Sequence, residues 1–173
     1  MTIVVYTNIV ASNMTGVIAR ELKQKRRFTS TEQEVMLGLQ MAAARIIEPW
    51  EKFLKANAEL TLHQYNVLRI LRGSHPAALP SGEIANRMIA RDPDITRLVD
   101  RLERRGLVTR VRNPRDRRVV EVGITEKGRD LLRTLDAPVE RFPRNMIGHL
   151  GSKKLEHLRG LLEDVVSNLG SFP

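Results

Sequence analysis

A helix-start signal at Asp92-Pro93-Asp94 and a glycine at Gly106 constrain the fold of this chain more than any other feature. Asp92 is a good N-cap acceptor, Pro93 suits the first helical position, and Asp94 adds a carboxylate near the positive end of the helix dipole. Between this signal and the glycine stop, apolar residues recur at three- and four-residue spacing. They are Ile95, Leu98, Val99 and Leu102. The pattern predicts a helix over 92–105 that is buried on one face.

Two short strands are predicted directly after this helix. Residues 107–112 and 117–124 are rich in valine, and the turn-forming tetrad Asn113-Pro-Arg-Asp116 separates them. Their alternation predicts three inward-facing side chains: Val111, Val120 and Val122. The segment is therefore predicted to be a β-hairpin whose outer part, residues 109–121, projects as a wing.

Three further helices are predicted upstream of this segment. The longest covers residues 31–57, starts at the capping-box pattern Thr31-Glu-Gln-Glu34 and contains Pro49, which predicts a kink. A second capping box, Thr61-Leu-His-Gln64, opens the next helix. Ser81 is the predicted cap of a short third helix.

Two helices are predicted downstream, within residues 126–170. Thr125 caps the first, and Pro138 and Pro143 predict that it is kinked or split. Ser152 opens the last helix, which carries apolar residues at the spacing of a buried face. They are Leu155, Leu158, Leu161, Leu162, Val165, Val166 and Leu169.

The positive charge of the chain is concentrated around the predicted helix and wing. Residues 87–118 hold 11 arginines, 5 acidic residues and no lysine, and so supply +6 of the formal net charge of +9. Such a charge favours an anionic partner, either nucleic acid or an acidic membrane surface. The planar fork of arginine suits phosphate oxygens and guanine edges. The alternative is a solvated helix face with local ion pairs, since acids are interspersed.

Several function classes are excluded by what the sequence lacks. Without cysteine, disulfides, zinc ribbons and thiol chemistry are excluded. The four histidines lack metal-ligand spacing, and no nucleophile–base pair or glycine-rich phosphate loop is recognisable, so neither metal, cofactor nor catalytic residue is predicted. No stretch reaches the roughly 20 apolar residues of a membrane span. We expect a cytoplasmic protein that is not an enzyme, with residues 1–30 as a flexible leader.

The order of predicted elements is that of a winged helix-turn-helix over residues 61–124. A helix fits the major groove of DNA, and its first turn can reach base edges. A narrow hairpin with arginines can enter the adjacent minor groove, where the negative potential favours Arg. The predicted fold is therefore mainly α with a small β-hairpin, and the predicted partner is double-stranded DNA.

The same stretch resembles the multiple antibiotic resistance regulator (MarR) family. The matching segments are Leu62-His-Gln64-Tyr65, Gly82-Glu-Ile-Ala85, Ile95-Thr-Arg-Leu-Val-Asp-Arg-Leu-Glu103, Arg105-Gly-Leu-Val108, Asp116-Arg-Arg118 and Ile124-Thr-Glu-Lys-Gly128. The resemblance implies a single domain over 31–173 and a homodimer whose helices at 31–57 and 126–170 interlock. It further implies a repressor on a pseudo-palindromic operator that releases DNA when a small-molecule effector binds.

By position, the resemblance also assigns roles to eight side chains. Three would face the major groove and a fourth would lie near a phosphate: Asp94, Thr96 and Arg97, and then Arg101. Two would act at the wing tip and two would hold the wing in shape through an ion pair: Arg115 and Arg117, and then Asp116 and Arg118. Asp94 is repelled by phosphate but can accept from a cytosine amino group, or else it only supports the helix terminus. For Arg97 and Arg101 the alternative is a surface ion pair with Asp94, Asp100 or a neighbouring acid on the helix.

Two alternatives to ligand-responsive repression remain open at this level. One is a DNA-binding regulator or nucleoid-type protein without an effector. The other is a basic interaction module whose arginines meet an acidic protein. An effector cavity could be lined by aromatic and methionine side chains, although their helical spacing favours a core or a dimer interface. They are Met36, Met41, Trp50, Phe53 and Tyr65.

Overall fold

The computed structural model describes residues 16–90, 94–113 and 119–169. The chain divides into two compact units, Met1–Pro49 and Trp50–Pro173. It is mostly helical with one small antiparallel sheet, which confirms the predicted fold class. In the part of the chain that the structure describes, every helix is either too short or too polar to span a bilayer.

The first unit contains helix α1 (Val17–Glu21) and most of helix α2 (Thr31–Ala58). Arg45 of α2 forms an ion pair with Glu21 at the end of α1, with 2.6 Å between Nη2 and Oε2. The sequence predicts a flexible leader over residues 1–30, and the structure differs from this prediction in forming α1. Residues 1–15 of the predicted leader lie outside the described residues.

The cap of α2 lies one residue earlier than predicted. Ser30 Oγ accepts from the Gln33 N–H at 3.2 Å, and Gln33 Oε1 accepts from the Thr29 N–H at 2.8 Å. Thr31 is already the first helical residue. The prediction of Thr31 as the cap was wrong because Ser30 offers the same hydroxyl acceptor in the register that the helix adopts.

The second unit contains the remaining helices and the sheet. Its helices are α3 (Leu62–Ser74), α4 (Ser81–Arg87), α5 (Ile95–Arg104), α6 (Glu126–Ile147) and α7 (Gly151–Leu169), with a 3₁₀ turn over Gly148–Leu150. Its strands are β1 (Leu79–Pro80), β2 (Val108–Arg112) and β3 (Val120–Ile124), in the order β1-β3-β2. The two-residue strand β1 lies in a segment for which the sequence predicted only a loop.

Of the three caps predicted at Thr61, Ser81 and Thr125, two are confirmed and one is wrong. Thr61 Oγ1 accepts from the Gln64 N–H at 3.2 Å, while Gln64 Oε1 accepts from the Thr61 N–H at 3.0 Å, which completes the capping box of α3. Thr125 Oγ1 accepts from the Gly128 N–H at 3.0 Å. Ser81, however, is the first residue of α4, and Pro80 in the cap position provides no side-chain acceptor.

The sequence predicts a kinked or split helix at Pro138 and Pro143, and the split is wrong because α6 continues through both prolines. Pro138 and Pro143 lie inside one helix of 22 residues. Leu135 before Pro138 is buried, and Phe142 beside Pro143 contacts Trp50 with 4.7 Å between ring centroids. Packing of these two side chains favours the continuous helix despite the backbone hydrogen bonds that the prolines cannot make.

The start of α6 is pressed against the end of the α5–β2 connection. Thr125 donates from its backbone N–H to Leu107 O at 3.1 Å, and Thr125 Oγ1 donates to Gly106 O at 2.8 Å. A Cβ on Gly128 would lie 2.3 Å from Leu107 O. Gly128 is therefore required by this close backbone approach, which joins the base of the hairpin to α6.

The sequence predicts inward-facing valines on both strands of the hairpin, and this prediction is confirmed for β3 and wrong for β2. Val122 is fully buried, whereas the side chain of Val111 is 63% exposed. Val108 is buried and pairs with Ile124, and Arg110 pairs with Val122 two residues further along. Because side chains alternate along a strand, the buried Val108 places Arg110 on its own face and Val111 on the other.

Candidate nucleic-acid interface

The N-cap of helix α5 is Asp94, and not Asp92 as predicted. Asp94 Oδ1 accepts from the Arg97 N–H at 3.1 Å, and the first helical residue is Ile95. Asp92 and Pro93 lie outside the described residues. The predicted apolar face is confirmed, since Leu98, Val99 and Leu102 are buried. This burial fixes the rotation of α5 and thereby decides which side chains face outward.

Three arginines form an exposed stripe on α5. Arg97, Arg101 and Arg104 recur at i, i+4 and i+7 and are all exposed. Arg97 Nε lies 3.0 Å from Asp94 Oδ2, and its side chain is 79% exposed. Arg101 and Arg104 make no hydrogen bond or ion pair within residues 16–90, 94–113 and 119–169. An exposed ion pair such as Arg97–Asp94 contributes at most about 1 kcal/mol, so it can be exchanged for a contact with an anion.

A second stripe on α5 carries the opposite charge. Thr96, Asp100 and Glu103 also recur at i, i+4 and i+7, and Thr96 lines a groove of about 370 Å³ together with Arg110 and Val120. Arg110 donates from Nε to Glu103 Oε2 at 2.8 Å and also forms an ion pair with Asp100. The hydrogen bond with Glu103 is the main reason why the pKa of Arg110 is raised. This stripe therefore faces strand β2.

Two more arginines of residues 87–118 are bound to other groups of the same chain. Arg105 donates to Glu59 O at 2.8 Å and to Ala58 O at 2.9 Å, which ties the end of α5 to the end of α2. Arg87 Nε lies 2.7 Å from Glu83 Oε1 on α4. For these residues the interpretation as local ion pairs and structural contacts is the appropriate one. The net charge of the segment thus overstates the number of available cations.

One exposed arginine was missed by the sequence analysis. Arg112 is the last residue of β2, is exposed, and makes no hydrogen bond or ion pair to another described residue. Its position pairs with Val120, on the same face of the hairpin as Arg110. If the alternation along β2 is counted from the buried Val108, it places Arg112 on the same face as Arg110 and identifies Arg112 as a candidate contact.

The predicted wing-tip residues all fall in one short segment that the structure does not describe. Arg115, Asp116, Arg117 and Arg118 lie within 114–118, outside the described residues. On either side, Asn113 N–H donates to Val119 O at 2.9 Å. Asn113 Nδ2 also donates to Glu121 Oε1 at 2.6 Å. The hairpin is therefore closed by hydrogen bonds up to the edge of this segment.

The aromatic residues considered for an effector cavity pack against each other. Within the second unit, Trp50 lies 5.2 Å from Phe53 and 5.6 Å from Tyr65, measured between ring centroids. Tyr65 is buried, and this burial raises the pKa of its hydroxyl. These contacts favour the interpretation of Trp50, Phe53 and Tyr65 as core. Among the described residues, no group of three His, Cys, Asp or Glu side chains could hold a metal ion.

Comparisons with known proteins agree on one family. A family model described as the MarR family matches residues 60–120. The crystal structure of a MarR transcription factor from Planctomyces limnophilus is 43% identical, covers 79% of this chain and 98% of that one, and has a TM-score of 0.61. The HTH-type transcriptional repressor IacR of Pseudomonas putida is 32% identical over 126 residues, which are 72% of this chain and 73% of IacR. The PcaV transcriptional regulator of Streptomyces coelicolor, solved with its natural ligand, is 26% identical, covers 72% of this chain and 89% of PcaV, and has a TM-score of 0.61.

Proposed function

Because this chain belongs to the MarR family of transcription regulators, we propose that it is a homodimeric repressor that binds a pseudo-palindromic operator and releases it when a small molecule binds. The observation that carries this proposal is the exposed arginine stripe of α5 beside a basic hairpin. The opposite face of α5 is buried, so the stripe can enter a groove without disturbing the core. The proposal assigns no catalytic role and places the protein in the cytoplasm.

Each residue of the stripe receives a distinct role. Arg97 lies in the first turn of α5, where a side chain can reach base edges, and its guanidinium suits the O6 and N7 acceptors of guanine. Arg101 and Arg104 follow at one-turn spacing and would bind phosphates. Asp94 acts as the helix cap, and Thr96, which is exposed beside it, would contact sugar or phosphate at the edge of the major groove.

The hairpin would supply the second contact with DNA. Arg112 at the end of β2 would bind a phosphate at the groove edge. Arg115 and Arg117 would enter the minor groove, and Asp116 and Arg118 would hold the tip in shape. Replacing Arg117 with alanine should lower affinity and the preference for A·T-rich flanks, measured by fluorescence anisotropy. Unchanged binding would remove the wing from the proposal.

Helix α7 supports the dimer. None of its residues is buried in the single chain, although its apolar side chains recur at core spacing. Leu155, Leu158 and Leu162 line a groove of about 450 Å³. Further along α7, Val166 is 69% exposed. A second copy that covers this face would present two α5 helices to half-sites about one helical turn, roughly 10 bp, apart.

The effector part of the proposal rests on the similarity to PcaV, which was solved with its natural ligand. A regulator without an effector would have the same DNA-binding surface. The two differ in whether a small molecule lowers the affinity of the protein for its operator.

Binding to a fluorescent fragment from the region upstream of the gene tests the proposal. We expect binding that persists in excess random competitor and weakens steeply as salt is raised, because arginines that neutralise phosphates release counterions. Equal affinity for the fragment and for a scrambled duplex would refute sequence-specific regulation. It would favour a nucleoid-type protein, and no binding to either would favour an interaction module for acidic proteins.

A further inference from the structure

The wing is joined to α5 by a cluster of one cation and two anions. Arg110 lies on β2, and both of its partners, Asp100 and Glu103, lie on α5. Nη2 of Arg110 is 2.7 Å from Glu103 Oε2, and Nε is 2.8 Å from the same oxygen. The three side chains are only 32–36% exposed. The contact is thus partly shielded from solvent, unlike the Arg97–Asp94 pair on the outer face.

This cluster reduces the positive charge of the proposed DNA-binding surface. Two carboxylates on α5 outweigh the single guanidinium, and carboxylates near DNA are repelled by phosphates. Arg110 also uses its donors on these carboxylates instead of on an anionic partner. An arrangement that weakens the electrostatic attraction to DNA requires another benefit, and the geometry of the hairpin supplies one.

The base of the hairpin and its outer part are held differently. At the base, Val108 and Val122 are buried in the core. From Thr109 to Arg112 every residue of β2 is exposed. Arg110 pairs with the buried Val122, so it lies at the last level of the hairpin that packs in the core, and there it connects β2 to α5. Without the cluster, the part of the hairpin beyond this pair could pivot about the buried Val122.

We propose that Arg110 is a positioning residue that sets the angle of the wing relative to α5, so that both elements engage DNA at the same time. Two linked contacts strengthen each other only when their geometry permits simultaneous engagement, and a fixed angle removes the cost of ordering the wing on binding. Arg110 acts through Asp100 and Glu103 and does not itself touch DNA. This inference rests on the proposed function.

Neutralising the carboxylates separates this role from direct contact with DNA. If Arg110 positions the wing, an Asp100→Asn/Glu103→Gln double variant should bind the operator fragment about five- to tenfold more weakly, although it removes two negative charges. If Arg110 instead bound phosphate, the same variant would release its guanidinium and bind more tightly. Tighter binding of the double variant would therefore overturn the inference.

Arg110→Gln provides the second arm, with Arg112→Gln as its matched control on the same strand and the same face. We expect Arg110→Gln to lower affinity by a similar factor and to leave the slope of log Kd against log salt unchanged. Arg112→Gln, which removes a proposed phosphate contact, should reduce that slope by about 1. A reduced slope in Arg110→Gln, or unchanged affinity, would overturn the inference.

Two further measurements distinguish a positioning role of Arg110 from a general loss of stability and from failure of the proposed function. In a hydroxyl-radical footprint, Arg110→Gln should lose protection of the flanking minor groove and keep the central protection from α5. General destabilisation would weaken both protections equally, and that result would overturn the inference. If wild-type protein binds no fragment specifically, the proposed function fails. Positioning is then judged on DNA-free protein, where Arg110→Gln should raise amide hydrogen exchange in β2 and β3 but not in α3. Unchanged exchange would overturn it.

Discussion

Replacing Asp94 with asparagine tests whether this side chain acts only at the start of α5 or also at DNA. Asparagine caps helices about as well as aspartate, so its side-chain oxygen can still accept from the Arg97 N–H. The variant loses the ion pair with Arg97 and a favourable charge near the helix dipole, each contributing about 0.3–1 kcal/mol at an exposed site. We therefore expect the free energy of unfolding to fall by about 0.6–2 kcal/mol.

The matched variant Asp94→Ala removes the cap as well as the charge. Loss of an N-cap acceptor costs about 1 kcal/mol in addition. Urea denaturation of the two variants and the wild type should therefore give the order wild type, Asp94→Asn, Asp94→Ala. An alanine variant as stable as the wild type would refute the assignment of Asp94 as an energetically important cap.

The effect on DNA binding has the opposite sign. Asp94→Asn removes a negative charge beside the proposed phosphate contacts and releases Arg97 from its pair, so affinity should rise by up to about fivefold, the factor that corresponds to 1 kcal/mol. Anisotropy titrations with operator and scrambled duplexes should show the same ratio of affinities as wild type. A tenfold fall in this ratio would refute the reasoning and assign Asp94 as an acceptor from a cytosine amino group.

Three further predictions concern specificity, packing and assembly. Arg97→Ala should lower affinity for operator by about 1–3 kcal/mol more than for scrambled DNA, and an equal loss on both duplexes would reduce Arg97 to a phosphate contact. Gly128→Ala should lower the free energy of unfolding by about 2 kcal/mol because its Cβ would meet Leu107 O at 2.3 Å, whereas Gly73→Ala, with no atom within 4 Å, should be neutral or stabilising by up to about 1 kcal/mol. Deleting residues 153–173 removes the apolar face of α7 and should give a monomer or an insoluble chain in analytical ultracentrifugation, and a well-behaved dimer would contradict the interface.

The features that sequence analysis predicted correctly depend on contacts within one turn of helix. The capping box at Thr61 and Gln64 and the cap at Thr125 join residues three apart, and both are present. The buried face of α5 follows from apolar periodicity alone. Errors of register arose where two adjacent residues could serve equally, as with Ser30 and Thr31 at the start of α2.

The features that it predicted wrongly depend on contacts between distant segments. Pro138 lies inside a continuous helix because side chains around it pack against the core, and strand periodicity could not choose the phase of β2 until Val108 was known to be buried. The short strand β1 exists only because Leu79 and Pro80 pair with β3, more than forty residues later. No pattern among neighbouring residues in the sequence predicts these contacts.

The arginines of residues 87–118 separate local properties, which can be read from the sequence, from roles that depend on the packing of distant segments. The sequence determined that a one-sided helix with many arginines precedes a short hairpin, because periodicity, caps and charge are local properties. It could not sort those arginines by role, since their carboxylate and carbonyl partners lie on other elements. Arg105 finds its acceptors 46 and 47 residues away, and Arg110 finds its acceptors across the α5–β2 turn. The fold thus engages these two and leaves Arg97, Arg101 and Arg104 on the outer face of α5, because burial of Leu98, Val99 and Leu102 fixes how the helix is turned.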